Sequence, residues 1–289
     1  MKKILLATIF ATSVLALAGC GGGGGGGGGG NDNTTTTPTT GTTPATDNSP
    51  QNTGTTPTTG TNPTTDTTSG VASAAAGVYT GTNSRGYLQD TLVLPDGRYL
   101  LVSSKVAGGV RTLYGFVKGS AGAVAGSISG EGRDFTADGV VSTGMLTGTY
   151  RDNTAISGSY REPAGTFTFT GGVQPTTVID FNRAATVADV QGAWALSTMS
   201  KESLTVTIAS NGALTGTNGS CNFTGTLTPN AGGKNVFEAS VTFGSGCETQ
   251  GLVATGTAIL TAPSAGKQEL LIALSDAGNT TGDIFTGTR

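Results

Sequence analysis

The chain has 289 residues, of which 49 are glycine, and only 11% of its residues are charged. Because an average globular protein has about 7% glycine and about 25% charged residues, part of this chain is expected to lie outside any packed core. The sequence contains no histidine, which excludes every mechanism that needs an imidazole as base or metal ligand. The formal net charge is −3, and no basic footprint favours a nucleic-acid partner.

The N-terminal residues have the pattern of an export signal. A short basic stretch, Met1–Lys3, precedes an apolar run over residues 4–16, which is too short to span a membrane. The next segment, Leu17-Ala18-Gly19-Cys20, resembles the lipobox of bacterial lipoproteins. This resemblance implies that residues 1–19 are a lipoprotein signal peptide and that Cys20 is the lipidation site.

The lipobox also implies a location for the protein. Two or three acyl chains, palmitate among them, contribute about 0.8 kcal/mol per buried CH₂ and make an effectively permanent membrane anchor. Gly21 follows the cysteine where retention in the inner membrane usually calls for Asp. The resemblance therefore implies a lipid anchor in the bacterial outer membrane, with the protein facing either the periplasm or the cell surface.

Residues 20–70 form a segment that lacks the side chains needed for a core. Gly21–Gly30 is an unbroken glycine run, and residues 31–70 are rich in Thr and Pro, with Ala45 as their only aliphatic side chain. Such a segment cannot offset the entropy of ordering its backbone, roughly 1–2 kcal/mol per residue. We therefore expect the lipidated cysteine to be followed by a disordered N-terminal tether.

From residue 71 onward, short alternating runs are separated by Gly, Asp and Asn. Leu88–Leu94, Arg98–Ser104 and Val110–Lys118 are strand-like, and a Pro95-Asp96-Gly97 hairpin turn joins the first two. Leu146–Tyr150 and Ile156–Tyr160 repeat one pattern ten residues apart. This pattern predicts a hairpin with Leu or Ile, Gly and Tyr on one face and Thr or Ser on the other.

A longer repeat organises the same region with a period of 115 residues. Gly77-Val78-Tyr79 and Gly192-Ala193-Trp194 are equivalent, and each is followed, 20 residues after its glycine, by a turn glycine, Gly97 or Gly212. The fold class predicted is all-β, with two tandem small antiparallel β-barrel or meander domains after the disordered tether. The predicted domains span residues 71–175 and 191–289, and residues 176–190 connect them. Asp189-Val190-Gln191 could belong to a helical turn that caps the second domain.

The start of the second domain resembles the first hairpin of calycin barrels, the lipocalin and avidin group. The resemblance lies in Gly192-Ala193-Trp194 and in a strand that ends at Asn211-Gly212 and continues as residues 213–217. It implies an eight-stranded up-and-down barrel whose closed end is plugged by Trp194. Tyr79 would take the same position in the first domain.

Two cysteines remain once Cys20 carries lipid. Cys221 and Cys247 lie 26 residues apart in an exported chain, so we expect them to form a disulfide. A redox or metal site is the minor alternative, and it would need carboxylate ligands because the sequence has no histidine and no CxxC.

The sequence shows no catalytic constellation, so we expect no enzyme activity, no catalytic residues and no cofactor. Asp134 and Asp138 lie near Glu131, and paired carboxylates can perform acid–base chemistry. We instead expect this acidic cluster to be solvated surface, with a loose Ca²⁺ site as the alternative. No lysine lies in a recognisable Ser/Lys motif.

These features predict a lipid-anchored outer-membrane lipoprotein that acts as a non-enzymatic binding or adhesion module. The anchor, oligoglycine and barrel domains together are similar to surface lipoproteins of Gram-negative pathogens that bind transferrin or complement regulators. The resemblance implies a host or envelope protein or a glycan as partner. Two alternatives stay open, namely a calycin-like carrier of a small apolar ligand and a structural envelope lipoprotein.

Overall fold

The computed structural model describes residues 72–264 and 266–289. The predicted signal peptide, Cys20 and the predicted tether lie outside the described residues. The first eight strands are β1 (Gly77–Asn83), β2 (Leu88–Val93), β3 (Arg98–Ala107), β4 (Val110–Val124), β5 (Ser127–Thr136), β6 (Val141–Arg151), β7 (Ala155–Glu162) and β8 (Gly165–Val173). The next eight are β9 (Gly192–Ser197), β10 (Ser203–Ile208), β11 (Ala213–Asn218), β12 (Cys221–Pro229), β13 (Val236–Phe243), β14 (Val253–Ser264), β15 (Lys267–Asp276) and β16 (Gly282–Thr288).

Each set of eight strands closes into an antiparallel barrel, with neighbours in sequence order. We call β1–β8 barrel one and β9–β16 barrel two. Barrel one closes through β1 and β8, whose register runs from Tyr79 opposite Val173 to Asn83 opposite Phe169. Barrel two closes through β9 and β16, where Thr286 lies opposite Ser197. The predicted all-β class with two tandem antiparallel barrels is therefore confirmed, while the predicted domain boundaries stay predictions.

Two short helical segments precede the barrels. A 3₁₀ turn at Ser73–Ala75 leads into β1, and helix α1 at Val187–Val190 leads into β9. Thr186 and Asp189 form a capping box at the start of α1. Asp189 and Val190 therefore belong to a helical turn, which was one of the alternatives for Asp189-Val190-Gln191. Within the described part of the chain, we find no helix with the length and apolar character that crossing a membrane requires.

The predicted 115-residue repeat appears in the geometry of both barrels. The strands β9, β10 and β11 each begin 115 residues after β1, β2 and β3, respectively. The Tyr79 hydroxyl donates to the Ala75 carbonyl at 3.0 Å, and Trp194 Nε1 donates to the Val190 carbonyl at 2.8 Å. Both aromatic side chains are buried and reach back four residues to the helical segment before their strand. The aromatic plug that the calycin resemblance implied is therefore present in both barrels.

The C-terminal residue secures the plug of barrel two. The Arg289 guanidinium lies 4.1 Å from the centre of the Trp194 ring. It also donates to the backbone carbonyls of Asp189 at 2.9 Å and Gln191 at 2.5 Å. The last strand of barrel two is thus connected to α1 and to the first strand. We call this end of barrel two its closed end.

The alternating hairpin of barrel one has the two faces that its sequence predicted. Leu146 lies opposite Tyr160, and Gly148 lies opposite Gly158. On the outer face, the Thr147 and Ser159 hydroxyls are 3.1 Å apart. A Cβ on Gly158 would lie 3.0 Å from the Phe169 ring, so glycine leaves space for an aromatic side chain inside the barrel.

Each barrel has its own apolar core. Barrel one buries inward-facing residues that include Leu101, Ile128 and Phe169. Barrel two buries Trp194, Leu214 and other inward-facing side chains. Strands alternate between faces, so these residues recur at every second position.

A third buried cluster joins the two barrels through their outer faces. Barrel one contributes Val78, Leu92, Leu94, Leu100, Val102 and Phe116, the connecting segment contributes Ile179 and Phe181, and barrel two contributes Met199, Val236, Ile259, Leu271, Ala273 and Ile284. We call this cluster the interbarrel core. Burying apolar surface contributes about 25 cal/mol per Å², so this cluster favours one two-barrel unit over two separate barrels.

Cys221 and Cys247 are joined by a disulfide, as the cysteine count predicted. Cys221 begins β12, and Cys247 lies in the connection between β13 and β14, which spans residues 244–252. The bond therefore attaches the β13–β14 connection to a neighbouring strand.

The disulfide should contribute measurably to the stability of barrel two. Replacing both cysteines, Cys221→Ser with Cys247→Ser, should lower the free energy of unfolding by about 3 kcal/mol, because the unfolded chain regains the entropy of an open loop. Urea unfolding followed by Trp194 fluorescence measures this change. Ser245→Ala, in the same connection, is the control and should change little; an unchanged midpoint in the double serine variant would contradict the prediction.

Candidate functional site

A large cleft lies between the two barrels. Its volume is about 1220 Å³. Leu92, Leu94 and Leu100 line it from the interbarrel core. The polar residues that line it are Arg98, Lys118, Ser120, Ser129, Glu131, Arg133 and Thr143 from barrel one, and Thr226, Thr228, Glu238, Ser240, Thr255, Thr257 and Asn279 from barrel two. We call this site the interbarrel cleft.

The wall that barrel two contributes is a lattice of hydroxyl groups. Thr226 lies opposite Ser240, and Ser240 lies opposite Thr255, on three adjacent strands. Alternation places Thr228 and Thr257 on the same outer face, two residues further along their strands. Neighbouring strands are about 4.8 Å apart, so these hydroxyls form a dense hydrogen-bonding surface, in which Glu238 lies between Thr228 and Thr257.

Charged groups connect the two walls of the cleft. The Arg98 guanidinium donates to both carboxylate oxygens of Glu238 at 2.7 Å. It also donates to Asp96 at 2.8 Å. The Arg98 hydrogen bond lowers the pKa of the Glu238 carboxyl, which therefore stays ionised. The pair is partly exposed, so it orients the walls more than it stabilises the fold.

A second polar contact crosses between the barrels beside the cleft. Lys118 Nζ donates to the Ser275 hydroxyl at 2.8 Å. Burial lowers the pKa of the Lys118 ammonium. The Ser275 side chain is only 1% exposed and also donates to Asn279 at 2.8 Å. A buried hydroxyl with these partners connects β4 to β15 and is not open to a substrate.

Arg111 makes the most buried ionic contact between the barrels. Its guanidinium donates to Asp90 in barrel one and lies 3.3 Å from Glu269 in barrel two. Burial lowers the pKa of Arg111, but the two carboxylates more than offset this effect and hold it above its ordinary value. Because removing one partner would leave a buried charge unpaired, this contact fixes how the barrels meet.

The interior of barrel two is almost filled by its own side chains. The remaining cavity has a volume of about 50 Å³. Pockets that enclose small-molecule ligands typically measure about 300–1,000 Å³. Trp194 is 1% exposed and belongs to this core. The geometry therefore does not favour the calycin-like carrier of a small apolar ligand.

The expectation of a solvated acidic cluster is wrong for Asp134. Its side chain points into barrel one and the residue is 4% exposed, whereas Glu131 faces the interbarrel cleft. Asp138 accepts a hydrogen bond from Thr136 in the β5–β6 hairpin. The signal was present in the sequence, since Ile128 and Asp134 fall on the same face of one alternating strand.

Burial controls the protonation of Asp134. It raises the pKa of the Asp134 carboxyl to about 7, with a smaller rise from Glu162 and Asp138 and an opposing effect from Arg85. The buried Tyr160 hydroxyl, which has no hydrogen-bond partner among the described residues, belongs to the same interior. The pKa of Tyr160 is also raised by burial and by Asp134. Both side chains are buried, with Asp134 4% and Tyr160 0% exposed.

The three predicted site residues have two different outcomes. Cys20 lies outside the described residues, and Cys221 and Cys247 form the disulfide described above. Across residues 72–264 and 266–289, no group of three or more Cys, Asp or Glu side chains is placed to hold a metal ion. The cleft residues Arg98, Lys118 and Glu238 were not singled out by the sequence, because their proximity depends on how two distant segments pack.

No protein-family model matches the chain, and no curated protein matches it. Among solved structures, it is similar to transferrin binding protein B from Haemophilus parasuis, a tryptophan-to-alanine mutant described as a vaccine antigen. The sequence identity is 6% and the TM-score 0.26 over 71% of this chain and 66% of that one. It is also similar to isotype 1 transferrin binding protein B from serogroup B Neisseria meningitidis, with 9% identity and a TM-score of 0.24 over 71% and 65%.

A third similar structure is a protein of unknown function from the DUF3598 family of Nostoc punctiforme. Its identity is 11% and its TM-score 0.23, over 74% of this chain and 94% of that chain. The chain spans slightly less than two thirds of the length of the two transferrin binding proteins. Scores this low carry no functional argument.

The buried Asp134 should make stability depend on pH. Its folded pKa is raised, so the native state holds a proton that the unfolded state releases, and stability falls as pH rises from about 4 to about 7. For a pKa raised from 3.8 to about 7, the loss is on the order of 4 kcal/mol. Asp134→Asn should flatten this slope and unfold at higher urea than the unsubstituted protein at pH 8.

The measurement is urea unfolding between pH 4 and pH 8. Asp283 has a pKa raised in the same direction, so part of the slope should remain in the Asp134→Asn protein. Asp152→Asn changes an exposed carboxylate in barrel one and serves as the matched control. A slope in Asp134→Asn as steep as in the unsubstituted protein would rule out the buried carboxyl as its source.

Proposed function

We propose that the chain is a lipid-anchored outer-membrane lipoprotein that binds a polar partner in the interbarrel cleft and performs no chemistry. The observation that supports this most is the cleft itself, with its volume of about 1220 Å³. It is larger than a typical pocket for a small molecule, which suits a protein loop or a glycan chain.

The composition of the cleft favours a partner rich in hydrogen-bonding groups. Its walls carry many hydroxyls and only a few charges, and Arg98 and Glu238 neutralise each other. Arg133 and Glu131 are exposed on the opposite wall. Hydroxyls both donate and accept, so they can match the hydroxyl and amide groups of a glycan or a peptide backbone.

The walls are built on strands, which makes the cleft a preorganised surface. Residues on β12, β13 and β14 are held by continuous ladder pairing, and Arg111 and Lys118 connect the facing barrel. A rigid site loses little conformational entropy when a partner binds. The cleft can therefore bind a partner without a conformational change.

The side chains that could act as catalytic groups support a non-enzymatic function. The chain has no histidine, and the carboxyl of Asp134 is enclosed in barrel one. Ser275 contacts a lysine but is buried in the contact between the barrels. The outer-membrane location rests on the lipobox and on the glycine-rich and threonine-rich residues 20–70.

The proposal is tested on intact cells with a photoreactive residue in place of Thr255, which is exposed in the cleft. The matched control carries the same residue at Thr147, which is exposed on the outer wall of barrel one. A crosslink to one discrete partner should form from position 255 and not from position 147, and protease added outside the cells should remove the protein.

Two results would count against the proposal. Crosslinking at equal levels from both positions, or from neither, would remove the cleft as the binding site. Resistance to added protease would place the protein away from the cell surface, and combined with absent crosslinks it would favour a structural envelope lipoprotein.

A further inference from the structure

Two tyrosine side chains are stacked on each other at the end of barrel one that lies opposite the Tyr79 plug. Tyr87 comes directly before β2, and Tyr114 lies on β4, near the tip of the β3–β4 hairpin. The centres of the two rings are 4.4 Å apart, and the ring planes differ by 22°. Among the aromatic pairs in the described part of the chain, this is the one that brings two phenol rings together.

The β3–β4 hairpin extends past its neighbouring strand β2. The pairing of β2 with β3 ends where Leu88 lies opposite Ser104, whereas β3 and β4 stay paired as far as Ala107 and Val110. Residues 105–110 are all exposed. The contact between the two tyrosines therefore connects the end of β2 to a hairpin tip that protrudes from the barrel.

A lysine side chain holds the two rings together. Lys105 Nζ lies 5.0 Å from the centre of the Tyr87 ring and 5.8 Å from the centre of the Tyr114 ring. An ammonium group is attracted to the negative faces of aromatic rings. No salt bridge within residues 72–264 and 266–289 includes Lys105. We therefore regard Lys105 as a positioning residue for the tyrosine pair.

The tyrosine pair is accessible from solvent, unlike the tyrosines of the barrel interior. Tyr114 is 37% exposed, and Tyr87 is partly exposed. Three other tyrosines are at most 3% exposed, namely Tyr79, Tyr99 and Tyr160. Tyr150 is partly exposed but is stacked on no other tyrosine among the described residues. A reagent in solution can therefore reach both rings of the pair.

We propose that Tyr87 and Tyr114 are an oxidative modification site at which the two rings are crosslinked as dityrosine. The oxidant is hydrogen peroxide acting through a haem peroxidase. One peroxide accepts an electron and a proton from each phenol and becomes two waters. The two phenoxyl radicals form a carbon–carbon bond between the ring positions next to the hydroxyls, and the hydrogens of those carbons move to the oxygens. The product keeps both hydroxyls and is lighter by two hydrogen atoms.

The stacked geometry favours coupling within one molecule. Two groups that are held in contact react as one unit, so they do not depend on an encounter between molecules. The Cys221–Cys247 disulfide indicates that the chain resides in an oxidising compartment. Neither tyrosine lines the interbarrel cleft, so this inference is independent of the proposed binding function.

The crosslink would have a mechanical consequence for barrel one. It closes a covalent loop over residues 87–114 and attaches the protruding hairpin to the end of β2. A covalent loop lowers the entropy of the unfolded chain and so stabilises the folded state. The site is thus an oxidation-dependent staple of the hairpin.

The test is peptide mapping of the full-length protein in detergent micelles after treatment with a haem peroxidase and hydrogen peroxide. Trypsin cleaves after Lys and Arg, so it releases Tyr87 within residues 86–98 and Tyr114 within residues 112–118. These two peptides should be recovered from the monomeric protein as one linked species, lighter than their sum by two hydrogen atoms. Tyr87→Phe and Tyr114→Phe should each lose this species, and the matched control Tyr150→Phe should keep it.

Urea unfolding tests the consequence of the crosslink. The oxidised protein should unfold at a higher urea concentration than the untreated protein, and Tyr114→Phe treated in the same way should show no such rise. The inference is overturned if the two peptides are not linked in the unsubstituted protein, or if the crosslink joins two molecules into a covalent dimer. It is also overturned if a linked protein unfolds at the same urea concentration as the untreated one.

Discussion

Closing an eight-stranded barrel buries only the inward-facing side chains of its strands. Apolar side chains on the outer faces must therefore be buried against another part of the protein. In this protein the outer faces of β1–β4 and β13–β16 cover each other through the interbarrel core. Arg111 with its two carboxylates, and Lys118 with Ser275, fix the orientation of that contact. The interbarrel cleft exists because the barrels meet along part of their outer surfaces and diverge beyond it.

Two strands that contribute to the interbarrel core have uninterrupted apolar runs instead of an alternating pattern. Tyr99–Val102 is apolar at every position, with Tyr99 and Leu101 inside barrel one and Leu100 and Val102 in the interbarrel core. Leu270–Leu274 behaves in the same way in barrel two. Such runs indicate strands that are buried on both faces. Ser203–Ile208, by contrast, alternates and faces solvent on one side.

The repeat, the aromatic plugs, the disulfide and the hairpins could be predicted because each depends on residues close in sequence or on a counted pair. The cleft around Arg98 and Glu238 could not, since it depends on side chains 140 residues apart in the chain.

The interbarrel core should make the two barrels unfold as one cooperative unit. The chain has six tyrosines, all in barrel one, and one tryptophan, Trp194, at the closed end of barrel two. Urea unfolding of the full-length protein can therefore be followed in each barrel separately, through tyrosine absorption and tryptophan fluorescence. Coincident transitions with the same midpoint and slope are predicted. Two transitions with separate midpoints would contradict the claim and would mean that the barrels fold independently.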